Sequence, residues 1–256
     1  MFFPTLFGKK GSSLRQSKLS VCGHDYSDRM KLHPEQTIGS LVAQHPEWGT
    51  LFETLGIDFC CGGLLTLEEA VKGKGLDLTT VTKMLEALPD AHQKKSGSNP
   101  AELDTPALID HIVKQHHRYV REHLPTLLRL ALKVTSVHGP KHREASVLGP
   151  GVKTLSQSLL PHLDEEEKSL FPELLKMAHE GGSLSREESA TYLAEHEEAG
   201  RVLHDLRTVT GNFQVPAWGC NTYRLLMEGL DAFERDLHEH VHLENNVLFL
   251  RFGGQA

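Results

Sequence analysis

The chain has no apolar run long enough to span a membrane, and it has few cysteines for its length of 256 residues. A membrane-spanning helix needs about 18 consecutive apolar residues, so we expect no contact with a membrane. Four cysteines, two of them adjacent, do not have the spacing of a secreted disulfide framework. A reducing compartment, the cytoplasm, is therefore expected.

The chain also lacks the basic excess of a general nucleic-acid binder. Its formal net charge is −7 and its pI is near 6.2, so we expect no nucleic-acid partner. The first 29 residues are locally basic, with no acid before Asp25. They lack the continuous apolar region of a signal peptide. We predict a disordered tail over 1–33, with Met30 as an alternative translation start.

Helix start and stop signals divide the remaining sequence into three parts. Residues 34–88 contain several short amphipathic segments, which are unstable alone and therefore predict a small packed helical domain. Residues 89–104 have the composition of a linker. Residues 105–256 show long apolar stripes of helical period. The prediction is an all-α chain, with a four-helix bundle preceded by the small domain.

Capping and proline signals predict where the helices begin. In the small domain, these signals are Thr37, Pro46 and the capping box of Thr66 with Glu69. In the bundle, the predicted starts are Thr105-Pro106, the segment after Gly149 to Gly151, Ser185 with Glu188, and Pro216. Kinks are expected at Pro125, Pro161 and Pro172.

One segment of the bundle occurs twice. The copies begin at His162 and His240, and both read His-x3-Glu-x3-Leu-Phe, with the glutamates at Glu166 and Glu244. Residues four apart share one face of an α-helix, about 6 Å apart along its axis. Each copy therefore presents an imidazole and a carboxylate in the same direction.

The repeat extends backwards, because His117 lies 45 residues before His162 and His196 lies 44 residues before His240. All of these residues replace apolar residues on inward stripes. Burying four imidazoles and two carboxylates without a metal would cost several kcal/mol for each charge. The pattern predicts a dinuclear metal site in the bundle core with ligands His117, His162, Glu166, His196, His240 and Glu244.

The other histidines of residues 105–256 are interpreted as ordinary solvated or satisfied side chains. They are His111, His116, His123, His138, His142, His179, His204, His238 and His242. His116 competes with His117 for the ligand position, and helical spacing favours His117. Glu195 is expected to support a ligand from outside or to be a surface charge. Ligands limited to nitrogen and oxygen favour iron or manganese. An open centre of this kind would bind oxygen, peroxide or nitric oxide, or release its metal, and the sequence does not choose among these outcomes.

The small domain carries a second chemical feature, Asp58-Phe59-Cys60-Cys61-Gly62-Gly63. Adjacent thiols beside paired glycines suggest an exposed, mobile turn in which Cys60 and Cys61 meet a metal or a disulfide partner. An ordinary pair of loop cysteines is the equally weighted alternative. Cys22 and Cys220 show no pattern and receive no role, and no catalytic residue is assigned.

These motifs resemble the bacterial iron-sulfur cluster repair proteins, also called di-iron cluster repair proteins. The similarity covers roughly residues 35–252 and rests on four segments: Leu55 to Gly63, Ile109 to His117, Glu195 to Gly200 and Glu239 to Phe249. The family implies a hemerythrin-like bundle with an oxo- or hydroxo-bridged pair of iron ions. Carried over to this chain, the four histidines are terminal ligands, Glu166 and Glu244 bridge, and His117 is preferred to His116.

The resemblance also implies a function. It suggests a cytoplasmic stress-response protein, a homodimer, that restores iron-sulfur proteins damaged by nitric oxide or peroxide. We expect an iron donor rather than a turnover enzyme, with Cys60 and Cys61 in transfer. The alternatives are reduction of nitric oxide, and binding or sensing of oxygen or nitric oxide. The tail and Pro161, next to a ligand, depart from the family pattern.

Overall fold

The computed structural model describes residues 32–88 and 99–254. Within these residues every regular element is helical, apart from one isolated antiparallel bridge between Thr37 and Thr66. The all-α prediction is thus confirmed. Nearly all of the predicted tail and most of the predicted linker lie outside the described residues. Among the described helices, none combines the length and the hydropathy that a membrane span requires.

Four short helices form the amino-terminal part, and three of them begin at a residue whose side chain caps the first turn. Thr37 accepts a hydrogen bond from the Ser40 backbone amide, and Thr66 with Glu69 forms the predicted capping box. One apolar cluster joins all four helices, which compensates for their low intrinsic stability. The helices are α1 (Ile38–Gln44), α2 (Trp48–Thr54), α3 (Leu67–Gly73) and α4 (Leu78–Glu86).

Four long helical rods form the bundle. The first rod joins α5 (Thr105–Ile112) to α6 (Arg118–His138), the second joins α7 (Arg143–Glu165) to α8 (Phe171–Glu180), the third is α9 (Arg186–Val209), and the fourth is α10 (Asn221–Leu243) with a final 3-10 turn, Phe249–Phe252. Single π-helical turns interrupt three rods, at Val113–His117, Glu166–Leu170 and Glu244–Leu248. Such turns inside α-helices are frequent at functional sites.

The second rod begins earlier than predicted, because α7 runs through Gly149, Pro150 and Gly151 instead of starting after them. The hydroxyl of Thr135, on α6, enters the helix there. It accepts from the Gly149 amide at 2.8 Å and donates to the Ala145 carbonyl at 2.7 Å. The backbone amide of Gly149 and the carbonyl of Ala145 therefore find their hydrogen-bond partner on the neighbouring helix, which lets α7 continue through this segment.

The fourth rod begins later than predicted, at Asn221 rather than Pro216. Pro216 instead opens a turn, in which its carbonyl accepts from the Gly219 amide at 2.8 Å. Pro125 and Pro161 lie inside helices, whereas Pro172 occupies the first turn of α8, where a missing amide is tolerated.

The small domain packs against the last π turn of the bundle through Asn246. Its side-chain amide donates to the backbone carbonyls of Cys60, at 2.8 Å, and Phe59, at 3.3 Å. Asn246 fits only because glycines face it. A Cβ atom on Gly39 or Gly63 would overlap its side chain. Close backbone approach at these two glycines therefore attaches the small domain to the bundle.

Replacing Gly63 with alanine should weaken this attachment, because the new methyl group displaces Asn246 from its two carbonyl partners. We expect Gly63→Ala to lower the free energy of unfolding by about 1–3 kcal/mol. Urea denaturation followed by circular dichroism measures the change.

Gly73→Ala is the matched control. Gly73 ends α3 and has no atom within 4 Å of an added Cβ, so alanine there should leave stability unchanged or raise it by about 0.5–1 kcal/mol. Equal destabilisation by both substitutions would contradict the role given to Gly63.

Candidate metal centre

Six side chains predicted from the repeat meet inside the bundle at the level of the π turns. All six are at least 95% buried. They form two groups of four possible donors, within which the ligand atoms lie no more than 4.8 Å apart. One group is His117, Glu166, His240 and Glu244, and the other is His162, Glu166, His196 and Glu244.

The histidines face each other in pairs through their Nε2 atoms. His117 and His240 approach to 3.1 Å, and His162 and His196 approach to 2.9 Å. Two nitrogens bound at right angles to one ion, each about 2.1 Å from it, would be ~3 Å apart. The spacing of each pair therefore suits a shared metal ion.

Each glutamate divides its two oxygens between the histidine pairs. Glu166 Oε2 lies 3.5 Å from His117 Nε2, while its Oε1 lies 3.3 Å from His162 Nε2. Glu244 repeats the arrangement, with Oε1 3.1 Å from His240 Nε2 and Oε2 3.3 Å from His196 Nε2. Each half of the site thus has two imidazoles and one oxygen from each carboxylate.

The carboxylate oxygens have no other partner. All four oxygens of Glu166 and Glu244 are buried without a hydrogen bond. An ionised carboxylate in that state costs several kcal/mol unless a positive charge compensates it. Burial alone would raise the pKa of Glu244, yet His240 and contacts with the other imidazoles hold that pKa well below its usual range. The donor set therefore fits a pair of metal ions.

Three of the four imidazoles are oriented from outside through Nδ1. His117 lies 2.8 Å from Glu167 Oε1, and His162 lies 2.6 Å from Glu195 Oε2. His196 lies 2.8 Å from Asn245 Oδ1. Donation from Nδ1 to an oxygen leaves the Nε2 lone pair directed into the site, as in metal-binding histidines. The Nδ1 atom of His240 is buried with no partner.

Sequence reasoning missed two of these outer partners, Glu167 and Asn245. The repeat could have identified them, because Glu167 directly follows Glu166 and Asn245 directly follows Glu244. Glu167 accepts from His117, and Asn245 accepts from His196, the equivalent histidine of the other copy. Glu167 also bonds Arg121 Nη1 at 2.6 Å. Burial would raise the pKa of Glu167, but His117 and Arg121 lower it, so this acceptor remains ionised.

Two histidines interpreted as ordinary are buried. His116 is excluded from the six-residue site, where His117 takes the position, but it is only 4% exposed and packs against His240. His242 is 3% exposed and contacts the Phe59 ring edge-on. Burial lowers the pKa of His242 to about 4, so this ring is neutral at physiological pH and acts as a packing residue.

The cysteine pair differs from the expected exposed turn. Cys60 is buried and Cys61 is partly buried, and their sulfur atoms lie 3.9 Å apart as free thiols. Asp58 Oδ1 accepts from both of their backbone amides, at 3.0 and 2.9 Å. The three side chains form a third group of possible metal donors.

The cysteine loop contacts the six-residue site through Asn245. The side-chain oxygen of Asn245 accepts from His196, while its amide lies 3.5 Å from the Cys60 carbonyl. Cys60 also packs into the apolar cluster of the bundle. One side chain thus contacts both a candidate ligand and the thiol loop. Cys220 lies apart, at the start of α10, and Cys22 lies outside the described residues.

Two family models match the chain. The Hemerythrin HHE cation binding domain matches residues 108–252. A domain described as "Domain of Unknown function (DUF542)" matches residues 34–89. The first covers the helices that hold the six buried side chains, and the second covers the domain with the cysteine pair.

Whole-chain relatives carry both parts. The iron-sulfur cluster repair protein ScdA of Staphylococcus haemolyticus is 35% identical over 219 residues, which span 85% of this chain and 98% of the relative. The iron-sulfur cluster repair protein YtfE of Enterobacter sp. (strain 638) is 35% identical over 218 residues, spanning 85% of this chain and 96% of the relative. The chain therefore belongs to the family of hemerythrin-domain iron-sulfur cluster repair proteins.

Proposed function

We propose that this protein repairs damaged iron-sulfur clusters by donating iron from a dinuclear centre. The proposed terminal ligands are His117, His162, His196 and His240, and the proposed bridging ligands are Glu166 and Glu244. Family membership supports repair as the function. The identity and number of the metal ions, and donation as the mechanism, are inferences from the site.

The observation that carries this proposal is the division of both buried carboxylates between two histidine pairs. A single ion would leave half of each carboxylate unpaired, whereas two ions would use all four oxygens. Nitrogen and oxygen donors without a thiolate suit iron better than structural zinc. Bound iron would compensate the charge of the carboxylates and could be released to an acceptor. Glu167, Glu195 and Asn245 would hold the imidazole ligands in their binding orientation.

The cysteine loop is the proposed acceptor for iron that leaves the centre. Asp58, Cys60 and Cys61 can together offer one oxygen and two sulfur ligands, and Asn245 connects their loop to His196. The hydrogen bond with Cys61, followed by burial, raises the pKa of Cys60 well above its usual value. Metal binding must therefore displace a proton from this thiol.

The partners proposed from this function are damaged iron-sulfur proteins. Nitric oxide and oxygen species are the proposed agents of damage. A reducing compartment, the cytoplasm, would keep Cys60 and Cys61 as thiols. The homodimer expected from the resemblance stays a prediction.

Glu167→Ala should weaken metal binding, because His117 loses the acceptor that orients its ring. We expect a loss of about 10–100-fold in affinity for iron, measured anaerobically by competition with a ferrous chelator. Glu165→Ala is the control, since Glu165 is an exposed residue at the end of α7, two positions before Glu167. Equal affinity in both variants would contradict the orienting role.

The thiols of Cys60 and Cys220 should be alkylated at different rates in the folded protein. The backbone amide of Tyr223, together with His138, lowers the pKa of the exposed Cys220 to about 7, so its labelling rate should rise as the pH passes through about 7. Cys60 should resist iodoacetamide across that range, because its thiol is buried and protonated. Peptide mass spectrometry measures both rates, and labelling of Cys60 as fast as Cys220 would contradict this assignment.

Iron transfer should depend on the cysteine pair. Protein loaded with ⁵⁷Fe is mixed anaerobically with a nitric-oxide-damaged [4Fe–4S] protein and no other iron, and Mössbauer spectroscopy follows the label. The Cys60→Ser/Cys61→Ser variant should keep its iron and transfer it at least about tenfold more slowly, equivalent to ~1.4 kcal/mol in the barrier.

Cys220→Ser is the matched control for the transfer experiment, because its thiol lies outside the proposed path. It should transfer iron at the wild-type rate. Unchanged transfer in the double variant would overturn the role of the cysteine loop. Repaired clusters without the label would overturn donation itself.

A further inference from the structure

The three outer partners of the imidazoles are not equally held in place. Asn245 is buried, so packing limits the positions of its side chain. Glu167 and Glu195 reach their imidazoles from the surface, where their side chains are 31% and 52% exposed. A long exposed side chain has other rotamers open to it in water, and confining it to one of them costs entropy. A carboxylate at the surface therefore orients an imidazole firmly only if a further group holds it.

Arg121 supplies such a group for Glu167. Its Nη1 atom donates to Glu167 Oε1 at 2.6 Å, and the same oxygen accepts from His117 Nδ1 at 2.8 Å. His117 and Arg121 are four residues apart, so their side chains leave the first rod in the same direction. Among the described residues, Glu195 has no arginine or lysine beside it, and its ion pair is with His162. The guanidinium is therefore a feature of one half of the site only.

The position of Arg121 is itself fixed by a second carboxylate. Its Nη2 atom donates to Asp164 Oδ1 at 2.8 Å, and the other oxygen of Asp164 accepts from Lys168 Nζ at 2.7 Å. A planar guanidinium that uses two of its nitrogens has little freedom to rotate. Arg121 therefore presents Nη1 to Glu167 in one orientation.

The two carboxylates that Arg121 holds lie on either side of a change in helix type. Asp164 belongs to the last turn of α7, and Glu167 belongs to the π turn that follows. The residue that begins this π turn is Glu166, a proposed bridging ligand. A contact on the outside of the bundle thus connects the first rod to the segment of the second rod that carries Glu166.

We propose that Arg121 is a positioning residue of the metal centre, which acts on one half of the site by holding the Glu167 carboxylate against Nδ1 of His117. The imidazole then keeps its Nε2 lone pair directed at the metal position that it shares with His240. Arg121 acts through Glu167 and does not bind the metal. The proposal rests on the dinuclear centre of the proposed function, but not on donation of its iron.

Anaerobic titration of the iron-loaded protein with a ferrous chelator tests this role. Arg121→Gln should weaken binding of one of the two ions by about three- to tenfold, less than Glu167→Ala, because Glu167 keeps its own bond to His117. Arg121→Lys keeps a positive charge and a donor, so it should recover part of the loss. Arg129→Gln, which changes an exposed arginine on the same helix, should bind both ions like the wild type.

A double-mutant cycle separates positioning from a purely structural contact between the two rods. If Arg121 acts through Glu167, Arg121→Gln should cause no further loss of iron affinity in a Glu167→Ala background. Asp164→Asn removes the other contact of Arg121 but leaves its bond to Glu167, so it should cost less affinity than Arg121→Gln. An equal loss from Arg121→Gln in both backgrounds would overturn the proposal, because the effect would then bypass Glu167.

The ring proton of His117 supplies a spectroscopic readout. In protein loaded with Co²⁺, the Nδ1 protons of metal-bound imidazoles give shifted NMR signals whose exchange with water is measurable. The signal that exchanges faster in Glu167→Ala identifies His117, and the same signal should exchange faster in Arg121→Gln. Unchanged exchange of that signal in Arg121→Gln would overturn the proposal even if iron affinity fell.

Failure of this proposal and failure of the proposed function give different results. If the wild-type protein holds two irons and Arg121→Gln holds them equally tightly, the dinuclear centre stands and the role of Arg121 fails. If Arg121→Gln weakens binding as expected but no iron reaches damaged clusters, Arg121 keeps its role and the donor function fails. Absence of an iron pair in the wild-type protein would overturn both.

Discussion

The structure depends on compensating the charge of two carboxylates buried without hydrogen-bond donors. Glu166 and Glu244 lie at the centre of the bundle, and the groups nearest to their oxygens are imidazoles. Among the described residues, no lysine or arginine side chain contacts these oxygens. Because an uncompensated buried carboxylate costs several kcal/mol, folding and metal binding should be coupled in this protein.

The surrounding architecture orients the donors around these carboxylates. Single π turns contain or begin at His117, Glu166 and Glu244, so three rods change helical register at the site. Glu167, Glu195 and Asn245 set the tautomers of three imidazoles from outside. The attached small domain places its thiol loop against Asn245 and Asn246. The contacts of Asn245 and Asn246 therefore affect both the orientation of a metal ligand and the position of the thiol loop.

The sequence predicted the helical fold and the meeting of the six buried donors, because the duplicated His-x3-Glu spacing is a local property of helices. It did not predict that α7 passes through Gly149 to Gly151, since Thr135 of another helix satisfies the break. Burial of Cys60 also involves residues distant in sequence, because Cys60 packs into the apolar cluster of the bundle. The burial of His116 required the structure, because helical spacing alone does not reveal that its ring stacks on His240.

The central claim is that Glu166 and Glu244 bridge two iron ions held in one site. Mössbauer and magnetic measurements on protein purified anaerobically from ⁵⁷Fe-grown cells test this claim directly. The account predicts two irons per chain that are magnetically coupled, with coupling and the second iron both lost in Glu244→Gln. One iron per chain, zinc in its place, or two uncoupled irons would contradict a carboxylate-bridged pair.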